Sequence, residues 1–117
     1  MIQEEFVTLE TAKLLKEKGF NERKYLIDVS TLNHCYKYLS VPPQSVAQKW
    51  LREIRGVYVY VEPVIGKRWK ISFCDFNVPT EESDWMENEI NKGNGYKVYV
   101  TYEEALEAGL QEALKLI

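Results

Sequence analysis

The stretch Gln44–Val61, QSVAQKWLREIRGVYVYV, decides the fold. Val46, Ala47, Trp50, Leu51 and Ile54 recur at the spacing of one face of a 3.6-residue period, which predicts an amphipathic helix over 44–55. Pro42 and Pro43 suit its entrance, where a missing N–H costs nothing. Gly56 suits the left-handed turn just past its end, and Arg52 and Arg55 sit favourably against the helix dipole. Trp50, in mid-stripe, is expected as a core anchor. After the glycine the period changes from 3.6 to 2: Val57, Val59 and Val61 alternate with Tyr58 and Tyr60, which predicts a half-buried strand.

Two more strands are expected downstream. Arg68–Cys74 sets Trp69, Ile71 and Phe73 against Arg68, Lys70, Ser72 and Cys74, with Pro63–Lys67 as the hairpin connection. Tyr96–Thr101 sets Tyr96, Val98 and Val100 against Lys97, Tyr99 and Thr101. A closing helix begins at Thr101, whose spacing to Glu104 is that of a capping box. Tyr102, Ala105, Leu106, Gly109, Leu110, Ala113, Leu114 and Ile117 form one apolar stripe on it. A glycine inside a helix costs about 1 kcal/mol against alanine. Gly109 therefore implies close approach by a neighbouring helix or by the Trp50 indole. Near the start, Thr8 is expected to cap a helix over 8–19 that ends at Gly19 and Phe20.

Two segments are read with alternatives. Lys24–Val29 and Tyr36–Val41 form either a hairpin or a long loop that lays its tyrosines on the core. Asp75–Gly95 is either a short helix starting near Pro79, with Trp85, Met86 and Ile90 buried, or an acidic loop anchored by Trp85. The resulting fold class is α+β, an antiparallel sheet of at least three strands with helices on one face, in a single domain spanning 1–117. From Gln44 onward, the order helix, three strands, helix resembles a double-stranded-RNA-binding domain. That family places lysines at the start of its last helix, where this chain has Glu103 and Glu104.

Composition narrows the function. With 18 acidic and 15 basic side chains the formal charge is −3, which argues against a generic binder of nucleic acid or anionic membrane. No run of 18 apolar residues is present and the first residues, MIQEEF, have no signal-peptide profile, so a cytoplasmic protein is expected. The only histidine, His34, adjoins Cys35; with Cys74 these are the whole supply of His and Cys, short of a zinc site and without a base partnered to a nucleophile. No glycine-rich phosphate loop occurs, and Gly93-Asn94-Gly95 reads as a turn. No enzyme activity, cofactor or metal is expected.

The stretches PPQSVAQKWLREIRG and TYEEALEAGLQEALKLI, with ETAKLLKEKGF near the start, resemble short uncharacterised proteins encoded by phages and integrated mobile elements of gut bacteria. The resemblance implies an accessory role and supplies no active site.

The sheet face turned away from the helices is the candidate site. It is expected to carry Tyr58, Tyr60, Arg68, Lys70, Lys97 and Tyr99. Such a face suits association with a protein partner or with a second copy. Tyrosines interleaved with basic residues also resemble a stacking platform for single-stranded nucleic acid, the alternative reading. Cross-strand tyrosine–lysine pairing that binds nothing would produce the same pattern.

Overall fold

A computed structural model describes residues 4–32, 36–92 and 95–117 of the chain. The elements run α1 (Leu9–Glu17), β1 (Leu26–Asp28), β2 (Tyr38–Ser40), α2 (Gln44–Ile54), β3 (Val57–Val64), β4 (Arg68–Asp75), α3 (Trp85–Asn91) and α4 (Tyr102–Leu116). Short 3₁₀ turns at Arg23–Tyr25 and Thr80–Glu82 precede β1 and α3. His34, Cys35, Gly93 and Asn94 lie outside the described residues.

The architecture is α+β, as the periodicity predicts. The single sheet of at least three strands is a correction: β1–β2 and β3–β4 are two separate antiparallel pairs. The expected third strand touches the larger pair at one position. Tyr99 and Trp69 exchange both backbone hydrogen bonds, at 3.0 and 2.8 Å, and the ladder stops there. Farther along, the outer edge of β4 is taken by the acidic segment. Phe73 N–H donates to Glu87 Oε1 at 2.8 Å, and Asp75 N–H to the Ser83 carbonyl at 2.8 Å. In the register set by the Tyr99–Trp69 bridge Phe73 would stand opposite Gly95, so the acidic segment takes the β4 edge beyond the Tyr96–Thr101 stretch.

That segment is no free loop. Asp75 is buried and accepts from Trp85 Nε1 at 2.6 Å and from Asn77 N–H at 2.9 Å. Asn77 in turn donates through Nδ2 to the Arg55 carbonyl at 2.8 Å, seated against Gly56. Gly56 has φ +69°, and a Cβ there would meet the Asn77 amide at 2.9 Å, so the position needs glycine twice over. α3 follows, its Met86 fully buried and Trp85 and Ile90 partly so.

The core sits between the helix-facing side of β3–β4 and α4, with α1 laid on α4 and α2 running beside β3. Val57, Val59 and Phe73 are buried from the sheet, and Ala105, Leu106, Leu110, Ala113 and Leu114 from α4. Both threonine caps form as predicted: Thr8 Oγ1 accepts Thr11 N–H at 3.3 Å and Thr101 Oγ1 accepts Glu104 N–H at 3.1 Å. The neighbour of Gly109 is neither a helix nor Trp50. A Cβ there would stand 2.6 Å from Ile71 Cγ2 and 2.8 Å from Val59 Cγ1, so α4 lies directly on the sheet. Trp50 is half-buried and meets Phe20 edge to face at 5.7 Å. Ile54, expected on the apolar face, is exposed, and Gln44, expected on the polar face at the other end of the helix, is buried. Arg55 reaches across to α1, donating to the Lys18 carbonyl at 2.8 Å.

The hairpin alternative holds for the described residues, where β1 and β2 pair Leu26 with Ser40, Ile27 with Leu39 and Asp28 with Tyr38. The β3–β4 connection is tighter than predicted. β3 continues through Pro63 to Val64, and the turn is Ile65–Gly66–Lys67. Pro63 is tolerated because its partner Trp69 turns its own backbone outward to Tyr99. The pair is therefore not hydrogen-bonded, and the missing N–H faces the free edge. Along that edge α2 supplies a cap, with Gln48 Nε2 donating to the Val59 carbonyl at 2.7 Å.

Candidate interaction surface

Register fixes which side chains share a face. In β3–β4 the pairs Tyr58–Cys74, Tyr60–Ser72, Glu62–Lys70 and Val64–Arg68 point away from α4. Four of the six expected surface residues, Tyr58, Tyr60, Arg68 and Lys70, therefore share the open face. Tyr99 and Lys97 do not. Tyr99 stands opposite Trp69, on the helix-facing side, and the alternation carries Lys97 with it. The residues this puts on the open side are Tyr96, Val98 and Val100, which are 55, 52 and 61% exposed. The alternation was legible in the sequence; its phase was not, because valines in a half-paired segment carry no label for the core side.

Tyr58 and Tyr60 stack, ring centroids 4.9 Å apart and planes 19° from parallel. The Arg52 guanidinium lies 5.6 Å from the Tyr58 ring centre, brought there by the course of α2 beside β3. Lys70 reaches the Glu62 carboxylate at 3.2 Å and stands 4.9 Å over the Tyr96 ring. Arg52 and Lys70 thus have partners within the chain, while Arg68, on the same face, donates among the described residues only to the Gly66 carbonyl at 3.3 Å. Carboxylates close one side of this surface: a groove of about 370 Å³ runs from Tyr60 and Glu62 past Cys74 to Glu81, Asp84 and Glu87. Burial raises the Tyr60 hydroxyl pKa above its ordinary value, with Glu62 and Glu87 adding to the rise.

A second polar centre escaped the sequence reading. Glu107 of α4 points at the start of α1, where its carboxylate accepts from Thr8 N–H at 3.1 Å, from Thr8 Oγ1 at 2.9 Å and from the Thr11 hydroxyl. Gln44 Nε2 donates to the same carboxylate at 3.1 Å and to the Glu103 carbonyl at 3.0 Å. Thr11 and Gln44 are buried. One carboxylate therefore joins the N-termini of α1 and α2 to α4, favourably placed against the α1 dipole. The groove beside it, about 690 Å³ with Glu5, Glu103 and Glu104 on its walls, is the larger, yet its central carboxylate is engaged in holding three helices together. The available sequence signal was Gln44, a polar residue opening an amphipathic helix directly after two prolines.

Among the described residues no group of three or more His, Cys, Asp or Glu side chains is arranged to hold a metal ion, and no helix is long and apolar enough to cross a membrane. No family model, no curated protein and no solved structure matches the chain.

Proposed function

We propose that the chain is a non-enzymatic accessory protein that works by associating with protein through the open face of β3–β4 and its margin Tyr96–Val100. The observation that carries this reading is a row of three large apolar side chains, Tyr96, Val98 and Val100, more than half exposed at one margin of the face that bears the Tyr58–Tyr60 stack. Contiguous exposed apolar surface rimmed by charge marks interaction sites more often than scattered single residues do. A phage or mobile-element context and a cytoplasmic setting belong to the same proposal and rest on the sequence motifs alone.

The charges favour protein over nucleic acid. A single-strand platform needs free cations for phosphates. Here Lys70 is paired with Glu62, Arg52 lies over Tyr58 beside Glu53, and Glu81, Asp84 and Glu87 border the rings, which leaves Arg68 as the one expected cation of this face without a carboxylate partner among the described residues. Titration of a labelled single-stranded oligonucleotide at low salt, beside light-scattering mass at low and high salt, tests the reading. Expected are no oligonucleotide binding and a mass that salt hardly changes, since apolar burial is not screened. Oligonucleotide binding that falls steeply with salt would establish the nucleic-acid alternative instead.

A further inference from the structure

The margin Tyr96–Val100 alternates as a strand should, yet it pairs with β4 at one residue only. Tyr99 spends both of its backbone groups on Trp69. In an antiparallel pair successive residues turn their N–H and C=O to opposite edges. With Tyr99 turned to β4, the backbone groups of its neighbour Val98 face outward, and continuing the alternation places those of Tyr96 and of Val100, which stands in the bend leading to α4, on the same edge. Among the described residues none of the three makes a backbone hydrogen bond. α4 does not cover this edge: it leaves from Tyr102, which meets Trp69 edge to face at 5.5 Å, and passes over Ile71 and Val59. The edge is thus open, apolar on one face, and free of the proline or bulge that commonly blunts an exposed strand.

We propose that this chain forms a two-fold dimer by pairing the free edge of Tyr96–Val100 with the same edge of a second copy, antiparallel and centred on Val98. The inference rests on the association reading above and names its partner. The parity is right for it. Only the even-numbered residues have outward-facing backbone groups, and a dyad at Val98 sets Val98 against Val98 and Tyr96 against Val100, all in hydrogen-bonding positions.

The side chains are self-complementary in the same register. Tyr96 meets the second copy's Val100, an aromatic–β-branched pair of the kind that stabilises sheets. Lys97, on the other face, meets Tyr99, which lies within the field of Glu112. Moving the dyad to residue 97 keeps the hydrogen-bond parity but sets Lys97 against Lys97, a like-charge pair. A dyad at residue 99 sets Tyr96 against Tyr102, already in α4, so Val98 is the register that uses all three outward residues without a like-charge pair. The product is one continuous antiparallel sheet through both copies, with the tyrosine faces on the same side. Five residues of edge bury less than the roughly 1,200 Å² of a standard interface, so the dimer should be weak and dependent on concentration.

Light-scattering mass over a wide concentration series, beside the melting temperature, tests the proposal. The wild-type chain is expected to rise from 13.7 kDa towards twice that value. Val98→Lys, which places two ammonium groups at the dyad, is expected to remain monomeric at every concentration. Val98→Thr, still β-branched, is expected to dimerise, and neither substitution should lower the melting temperature of the monomer appreciably at so exposed a site. A wild-type chain that stays monomeric at the highest concentration overturns the dimer while leaving association with another protein intact. A dimer that survives Val98→Lys but is lost in Tyr58→Ser/Tyr60→Ser moves the contact to the tyrosine stack and overturns the edge pairing.

Discussion

The two faces of β3–β4 are made from the same two strands and do opposite work. On the helix side Val57, Val59 and Phe73 are buried, and α4 comes so close that one methyl group at Gly109 has no room. On the other side the tyrosines stack on each other, and their neighbours Arg52 and Lys70 pair within the chain. The carboxylates divide in the same way. Glu107 is committed to the N-termini of α1 and α2, whereas Glu62 lies at the surface and holds one lysine. Alternating valine and tyrosine thus separates a face that carries stability from a face available for contact.

The largest effect expected from disturbing this division is at Glu107. Glu107→Ala removes the acceptor from buried Thr11 and Gln44 together, and a buried donor left unpaired costs about 1–3 kcal/mol. Denaturant unfolding should show a loss of about 2–3 kcal/mol, recovered in part by Glu107→Gln, which keeps an acceptor oxygen. A loss no larger than that of an ordinary surface substitution would mean that the three helix ends are held by packing alone.

Gly109→Ala ranks next. Its propensity gain of about 1 kcal/mol is opposed by overpacking against the stiff, branched Ile71 and Val59, with a net loss of about 1–2 kcal/mol expected. A higher melting temperature in Gly109→Ala would mean that the sheet yields to α4, and the helix side would be looser than described.

The smallest effect belongs to the open face and to alkaline pH. The Tyr60 hydroxyl has a raised pKa, from burial first and then from Glu62 and Glu87. The folded chain therefore holds this proton more tightly than the unfolded chain does. The resulting stability is present below the ordinary tyrosine value near 10 and is lost as pH rises through the raised value. Glu87→Gln should bring the Tyr60 transition towards that ordinary value, read as the difference between ultraviolet titrations with and without Tyr60→Phe. An unchanged transition would leave burial and Glu62 as the causes, without Glu87.

Much of this division was legible in the sequence. The 3.6-residue stripes of α2 and α4, the threonine caps and the period-2 alternation of β3 and β4 are local signals, and the structure follows them. What was not legible depends on partners far along the chain. Tyr96–Thr101 meets β4 at Trp69 alone, and the β4 edge beyond it, at Phe73 and Asp75, is taken by Glu87 and Ser83. The face on which Tyr99 lies is decided by one bridge to Trp69, and a shift of one residue exchanges Lys97 and Tyr99 for Tyr96, Val98 and Val100. The Glu107 centre joins residues 8, 11, 44 and 107, a spacing with no sequence signature. Half-burial of Trp50 was equally hidden, because it is set by where Phe20 arrives after the α1 turn.

The margin of the open face, on the proposal above, is a free edge awaiting a partner. Amide hydrogen exchange of Tyr96–Val100 in the wild-type chain, compared at low and high concentration, tests it most directly. Tyr99, bonded to Trp69, should be protected at both concentrations. The amides of Val98 and Val100 should exchange rapidly in dilute solution and slow down as the chain is concentrated. Slow exchange of Val98 and Val100 at every concentration would contradict the account, since the edge would then be closed within the single chain.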